Sequence, residues 1–179
     1  IEDMLTLSRL ESVDYPLRPE PVDIKKLMQQ VLRDAKALSA GKHEVRMECN
    51  GPDVLGSYDE LYSAFGNLAS NAVRYTPAGG SITLRWQDGP AGPQFIAQDT
   101  GIGISPEHIS RLTERFYRVD KSRSRETQGT GLGLAIVKHV LLRHGGTLAI
   151  QSVADKGSSF IVSMPKSVVT PLQGELLVK

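Results

Sequence analysis

Apolar residues recur along this chain with two periods, and the switches between them lay out its elements. Behind Asp23, a residue suited to an N-cap, Leu27, Val31, Ala35 and Leu38 fall at i, i+4, i+8 and i+11, and Gly41 follows. That spacing draws one stripe down a helix. From Tyr58 to Tyr75 a second stripe runs through Leu61, Phe65, Leu68, Ala72 and Tyr75, and Pro77 stops it. A third helix is predicted over 132–144, with Gly145-Gly146 as its C-cap. Met4, Leu7 and Leu10 mark residues 1–12 as the end of a longer amphipathic helix, and Pro16, Pro19 and Pro21 make 13–21 an extended linker. Strict alternation marks strands: 43–49 with Val45 and Met47 on one face, then Ile82, Leu84 and Trp86 set between Thr83, Arg85 and Gln87. A strand over 94–98 runs into a glycine cluster, and strands over 147–152 and 158–164 flank a turn at Asp155-Lys156-Gly157.

Three helices and five strands in mixed order predict an α/β two-layer sandwich: a mixed, mostly antiparallel five-stranded sheet with three helices on one face. The order does not suit a strictly alternating doubly wound sheet. The main domain is expected over 22–165, with a tail, 166–179, that has apolar residues but no evident partner. Ile1 stands in mid-pattern with no initiator Met, which predicts a piece of a longer chain.

At 179 residues, 40% hydrophobic and 23% charged, the chain is long enough for one globular domain with a real core. A net charge of +1 argues for neither nucleic acid nor an acidic membrane as partner. Cys49 is the single cysteine, so no intrachain disulfide is possible, and it reads as a half-buried strand residue. His43, His108, His139 and His144 form no metal-ligand pattern with it. His139 and His144, near a helix end, read as solvent-facing or as capping the helix dipole. No apolar run approaches the length of a bilayer span, and no signal peptide is visible.

Candidate chemistry concentrates in two glycine clusters, Asp99-Thr100-Gly101-Ile102-Gly103 and Gly129-Thr130-Gly131-Leu132-Gly133-Leu134. Glycines at such spacing let backbone approach a ligand, and a glycine turn feeding a helix offers free N–H groups to phosphate. Asn67, Asn71 and Arg74 fall at i, i+4 and i+7 beside the apolar stripe. They are either solvent-facing polar residues or amide ligands of Mg²⁺ with a cation for phosphate. Asp99 is either a turn or cap residue or a carboxylate that accepts from an adenine amino group. The dinucleotide fingerprint does not apply, because Pro106 and a loop follow the first cluster instead of a helix. The segment 113–128, TERFYRVDKSRSRETQ, is either a solvated basic loop or a lid over a site, with Phe116 and Tyr117 as its apolar anchor.

With these elements in order, the chain resembles the catalytic ATP-binding domain of bacterial sensor histidine kinases, within the GHKL ATPase superfamily. NLASNAVRYT (67–76) looks like the N box, DTGIGI (99–104) the G1 box, ERFYRVD (114–120) the F box and GTGLGLAIVKH (129–139) the G2 box. KGSSFIVSMP (156–165) resembles the closing strand motif, and MLTLSRLE (4–11) the end of the second helix of the dimerisation and phosphoacceptor domain. The wording of TERFYRVDKSRSR is similar to that of the phosphate-regulon sensor kinases.

The resemblance implies a Bergerat fold that binds ATP and Mg²⁺. Asn71 would ligate the metal, Asn67 would support metal and phosphate, and Arg74 would contact phosphate. Tyr75 would flank the nucleotide and Asp99 would read the adenine amino group. Gly101 and Gly103 would shape the adenine pocket. Gly129, Gly131 and Gly133, with Thr130 and Leu132 between them, would form the lid hinge and phosphate cradle, and Arg118 would contact the γ-phosphate. The implied setting is the cytoplasmic domain of an inner-membrane sensor that forms a homodimer. Its partners would be its own dimerisation and phosphoacceptor domain and a downstream response regulator, with no nucleic acid, and this piece alone would be monomeric. The family's phosphoacceptor histidine, in a His-Glu/Asp context followed by Arg/Lys and Pro, is absent, since none of the four histidines matches that whole pattern. Arg74 stands where Lys is frequent, a mild change. Two rival expectations are a GHKL ATPase driving a conformational clamp and a degenerate nucleotide-binding regulatory domain. Clamp relatives carry a Glu base where this chain has Asn67.

Overall fold

The computed structural model describes residues 2–118 and 131–170. Its centre is a five-stranded sheet in the order β2-β4-β5-β7-β6, built from β2 (Glu44–Cys49), β4 (Ser81–Gln87), β5 (Gln94–Asp99), β6 (Thr147–Val153) and β7 (Gly157–Ser163). β2 runs parallel to β4, and every other pairing is antiparallel. Helices α2 (Ile24–Ser39), α3 (Tyr58–Arg74) and α5 (Gly133–His144) supply the buried stripes that cover the sheet. The predicted α/β sandwich is therefore present, with its mixed five-stranded sheet.

Period decides the layers. In β4, Ile82, Leu84 and Trp86 are fully buried while the residues between them are half-buried, as alternation requires. α3 turns Leu61, Ala64, Phe65, Leu68 and Ala72 onto that face. Phe65 stacks on Phe95 with ring centroids 4.2 Å apart and tilts against Trp86 at 5.9 Å. Each such aromatic pair adds about 0.5–1.5 kcal/mol beyond the area it buries. The Trp86 indole donates to Pro52 O at 2.9 Å, so its one polar atom is satisfied.

The helix ends follow capping chemistry. Asp23 accepts from Lys26 N at the start of α2, and Ser57 accepts from Glu60 N at the start of α3. Gly145 closes α5 in the left-handed region, with Gly146 N donating to Leu141 O at 2.8 Å.

Several expectations are corrected. The linker 13–21 is not extended throughout, because a turn over 13–15 opens it, with Tyr15 N donating to Ser12 O. Its end is not a free linker but enters β1 (Glu20–Val22), which pairs antiparallel with β3 (Val54–Gly56) in a two-stranded ribbon. Leu38 is 47% exposed and lies outside the core, since the α2 stripe ends with Ala35 and Ser39. Tyr75 leaves the α3 stripe as well: it is the C-cap residue, partly exposed. The tail finds a partner in its first residues, where Val169 bridges to Val54 and Thr170 N donates to Asp53 O. Residues 171–179 lie outside the described residues. A short helix, α4 (Pro106–Ile109), opens the polar segment that was predicted to be a loop.

Helix α1 (Glu2–Glu11) buries Leu7 and Leu10 and packs along α5. Glu11 at its end accepts from Arg115 and lies 3.2 Å from His139 Nε2. Beyond the next turn, the Tyr15 ring has the Arg9 guanidinium 5.5 Å and the Arg143 guanidinium 5.6 Å from its centroid. Arg143 also grips Glu60 through Nε and Nη2 at 2.7 and 3.1 Å.

Candidate functional site

A cleft of about 620 Å³ opens between α3, the end of β5, the β6–β7 turn and the start of α5. It gathers residues from the whole length of the chain, and sequence spacing alone could not do that. Its size suits a small-molecule ligand.

One end is built around Asp99. The last residue of β5 pairs with Ser158 of β7, so a buried carboxylate ends the strand with its neighbours fixed by the ladder. Its Oδ1 accepts from Gly101 N at 2.9 Å. Burial pushes the Asp99 carboxyl above its usual range, and the N–H groups of Gly101 and Ser158 oppose that shift. An ionised carboxylate in such a place gains from an incoming hydrogen-bond donor.

The loop after Asp99 packs so closely that side chains are excluded. A Cβ on Gly101 would lie 2.3 Å from Tyr75 O, and Gly103, at φ +69°, would put one 2.1 Å from Val153 O. Ile102 N donates to Tyr75 O and Asp155 N donates to Ile102 O, which ties the loop to both the α3 end and the β6–β7 turn. Gly101 is buried beneath the cleft, whereas Ile102, Gly103 and Ile104 line it.

The other end is built on α3. Asn67, Asn71 and Arg74 all line the cleft, as their shared helix face requires, and Tyr75 lies beside them. The Asn67 amide donates from Nδ2 to Ser63 O at 2.8 Å. Its Oδ1 lies against the first residue of α5, where a Cβ on Gly133 would come within 2.8 Å. Among the described residues, no side-chain hydrogen bond engages the Asn71 amide. α5 begins at Leu132 without a side-chain cap, and Gly133 and Leu134 line the cleft at that helix end.

Arg118 and Tyr117 complete this end, together with Gly131. Leu132 is buried in the core and does not line the cleft. Gly129 and Thr130 lie outside the described residues, as does the portion of the predicted lid after Arg118. Several lining residues were not singled out from the sequence. Ser158 and Phe160 enter only through the β5–β7 register, Ala154 and Asp155 through the β6–β7 turn, and Asp3 through the docking of α1. The pairing of 94–99 with 158–163 was the one signal that could have found the first two.

Two histidines depart from expectation. His144 is 5% exposed and does not face solvent. Its Nδ1 lies 2.8 Å from Val140 O and its Nε2 accepts from Ser57 N at 3.1 Å, which fixes the neutral tautomer protonated on Nδ1. Burial holds its pKa below the ordinary value. His139 is half-buried against Glu11, and burial, then Arg115 and Lys138, lower its pKa too.

No helix among the described residues is long and apolar enough to cross a membrane. Residues 56–168 match the family model described as "Histidine kinase-, DNA gyrase B-, and HSP90-like ATPase". The phosphate regulon sensor protein PhoR of Pseudomonas aeruginosa is 51% identical over 162 residues, 89% of this chain and 37% of that protein. The sensor-like histidine kinase SenX3 of Mycobacterium tuberculosis is 36% identical over 92% of this chain and 41% of its own length. The chain thus spans well under half of these relatives. Among solved structures, full-length ShkA in complex with AMPPNP superposes with a TM-score of 0.81 at 29% identity, over 95% of this chain and 35% of that one. The mycobacterial sensor histidine kinase MprB superposes at 0.72 and 29% identity, over 83% of this chain and 97% of that one. With a cleft that places a buried carboxylate opposite paired asparagines, and with these matches across its sheet and helices, the chain belongs to the histidine kinase-, DNA gyrase B- and HSP90-like ATPase family.

Proposed function

We propose that this chain is the ATP-binding catalytic domain of a two-component sensor kinase. It holds ATP·Mg²⁺ in the cleft and presents the γ-phosphoryl to a histidine on separate acceptor helices. The observation that carries this reading is the polarity of one cavity: the buried Asp99 carboxylate at one end, Asn67, Asn71, Arg74 and Arg118 at the other. Asp99 would accept from the adenine amino group, and Ile102 and Ile104 would offer apolar surface to the ring. The amides and guanidinium groups would meet the triphosphate.

The donor set fits Mg²⁺, which takes oxygen ligands and shares them with phosphates. Asn71 would supply one such oxygen and Asn67 would brace the phosphate side. When bound, the metal would neutralise negative charge on the phosphates. In the transfer itself the bond from Pγ to the β,γ-bridging oxygen breaks, a bond from Pγ to an imidazole nitrogen forms, and ADP leaves. Such a reaction needs positioning and charge neutralisation more than an activated protein nucleophile.

The clamp-ATPase reading is disfavoured by Asn67. The α3 face at the phosphate end presents amides and a guanidinium, with no carboxylate to activate water. In the setting implied by the relatives, the domain works on the cytoplasmic side of a membrane sensor. That sensor forms a homodimer and passes the phosphoryl on to a response regulator.

The test is transfer in trans. Incubated with labelled ATP and a separately supplied pair of acceptor helices from a matched relative, the chain should label the acceptor and not itself. The adduct should be acid-labile and base-stable, as phosphohistidine is. Transfer should be slow, because the tether that raises effective concentration is missing. Rapid ATP hydrolysis with no labelled acceptor would favour the clamp ATPase.

A further inference from the structure

The segment between α4 and Arg118 holds one aromatic side chain far more firmly than a surface loop requires. Tyr117 lines the cleft beside Arg118. Its hydroxyl lies 2.5 Å from His108 Nδ1. The Arg111 guanidinium sits over its ring, 4.4 Å from the centroid. Arg111 is itself held by Glu114, through Nε and Nη2 at 3.1–3.3 Å. The other His108 nitrogen, Nε2, lies 3.4 Å from Glu107 Oε1. The tautomer protonated on Nε2 satisfies both contacts, leaving Nδ1 to accept from the Tyr117 hydroxyl.

The backbone beside Tyr117 is strained. Phe116 adopts φ +61°, a conformation that a bulky residue rarely takes. It is held there by its N–H to Gly131 O at 2.9 Å, and Gly131, itself at φ +78°, packs directly under it. Such strain persists only where the surroundings over-determine it, and it gathers at functional sites. Phe116 is nevertheless 57% exposed, so its own side chain is not what the strain serves. What the turn accomplishes is to bring the next two residues, Tyr117 and Arg118, into the cleft.

We infer that His108 is a positioning residue: by gripping the Tyr117 hydroxyl it fixes the end of this strained turn, and so aims Arg118 at the phosphate end of the cleft. The inference rests on the kinase reading above. Arg118 would touch the γ-phosphoryl and His108 would act only through Tyr117. ADP, which lacks that group, should not sense the contact.

The experiment compares His108→Leu, Tyr117→Phe, the double variant and His108→Asn, whose amide oxygen replaces the Nδ1 acceptor. Each is assayed for ADP affinity by calorimetry on this chain, and for kcat and ATP KM in transfer to separately supplied acceptor helices. Each single loss should lower kcat about fivefold with little change in KM or ADP affinity, the signature of a contact made in the transition state. The double variant should be no slower than either single one, and His108→Asn should recover most of the rate. Wild-type kcat in Tyr117→Phe and His108→Leu would overturn the inference. So would an equal loss of ADP affinity, which would make the pair merely structural, or losses that multiply in the double variant. Failure of the unaltered chain to transfer at all would instead overturn the kinase reading.

Discussion

Asp99 and His144 are both buried titratable residues, and their environments give them opposite tasks. Asp99 ends β5 with its carboxylate aimed at the cleft, partnered by two backbone N–H groups. Asp99→Asn replaces one acceptor by a donor, so it should weaken ATP and ADP alike, by about tenfold or more, because a buried mismatched polar pair costs about 1–3 kcal/mol. Calorimetry with both nucleotides checks this, and a loss confined to ATP would place Asp99 at the wrong end of the ligand. His144 serves the fold instead. Its Nε2 must stay unprotonated to accept from Ser57 N at the start of α3. Its folded pKa is lowered from 6.5. The stability it contributes is therefore complete above the unfolded value and is lost as pH falls from 6.5 through the lower folded value. His144→Gln keeps an acceptor without the titration, so the thermal midpoint of that variant should decline less than that of the unaltered chain below pH 6.5.

Among the elements, those whose signal is local were legible in the sequence. α2, α3 and α5 follow their stripes, and β4 follows its alternation, because each buries one face against a layer that period alone can define. β1 and β3 were not legible: three residues each, one of them Pro21, carry no period, and only their mutual pairing makes them strands. Nor was the docking of α1, whose partner helix lies more than a hundred residues away. Its consequence is testable. A ten-residue helix is marginal in water by itself. Burial of Leu7 and Leu10 on α5, and the hold of Glu11 on Arg115 and His139, should keep α1 formed. Hydrogen exchange should find the amides at the C-terminal end of α1 well protected. Leu7→Ala, which removes a buried side chain worth about 2–5 kcal/mol in a core, should abolish that protection while sparing β4 and β5. Fast exchange there in the unaltered chain would show that the helix does not stay docked.

At the scale of the whole molecule, the same docking bears on association. The sequence alone shows Met4, Leu7 and Leu10 as one apolar run on the end of a helix. The fold divides that run. Leu7 and Leu10 are 2% and 6% exposed against this chain's own α5, while Met4 and Leu5 remain 57% and 61% exposed. The cleft was legible to the same degree. Asn67, Asn71, Arg74 and Asp99 could be picked out by residue type and spacing, but Asp3, Ser158 and Phe160 join them only through tertiary packing. Two exposed apolar side chains on a short helix fall far short of the 1,200–2,000 Å² or so that a stable interface buries. Any dimer seam of a longer sensor would need more helix than residues 2–11 supply, or the release of Leu7 and Leu10 from α5. These 179 residues should therefore sediment as a monomer at micromolar concentration. Met4→Lys with Leu5→Lys should leave that unchanged. A tight dimer by analytical ultracentrifugation that survives removal of residues 1–12 would place an interface on another surface, and the side of the sheet opposite the helices would be the first to examine.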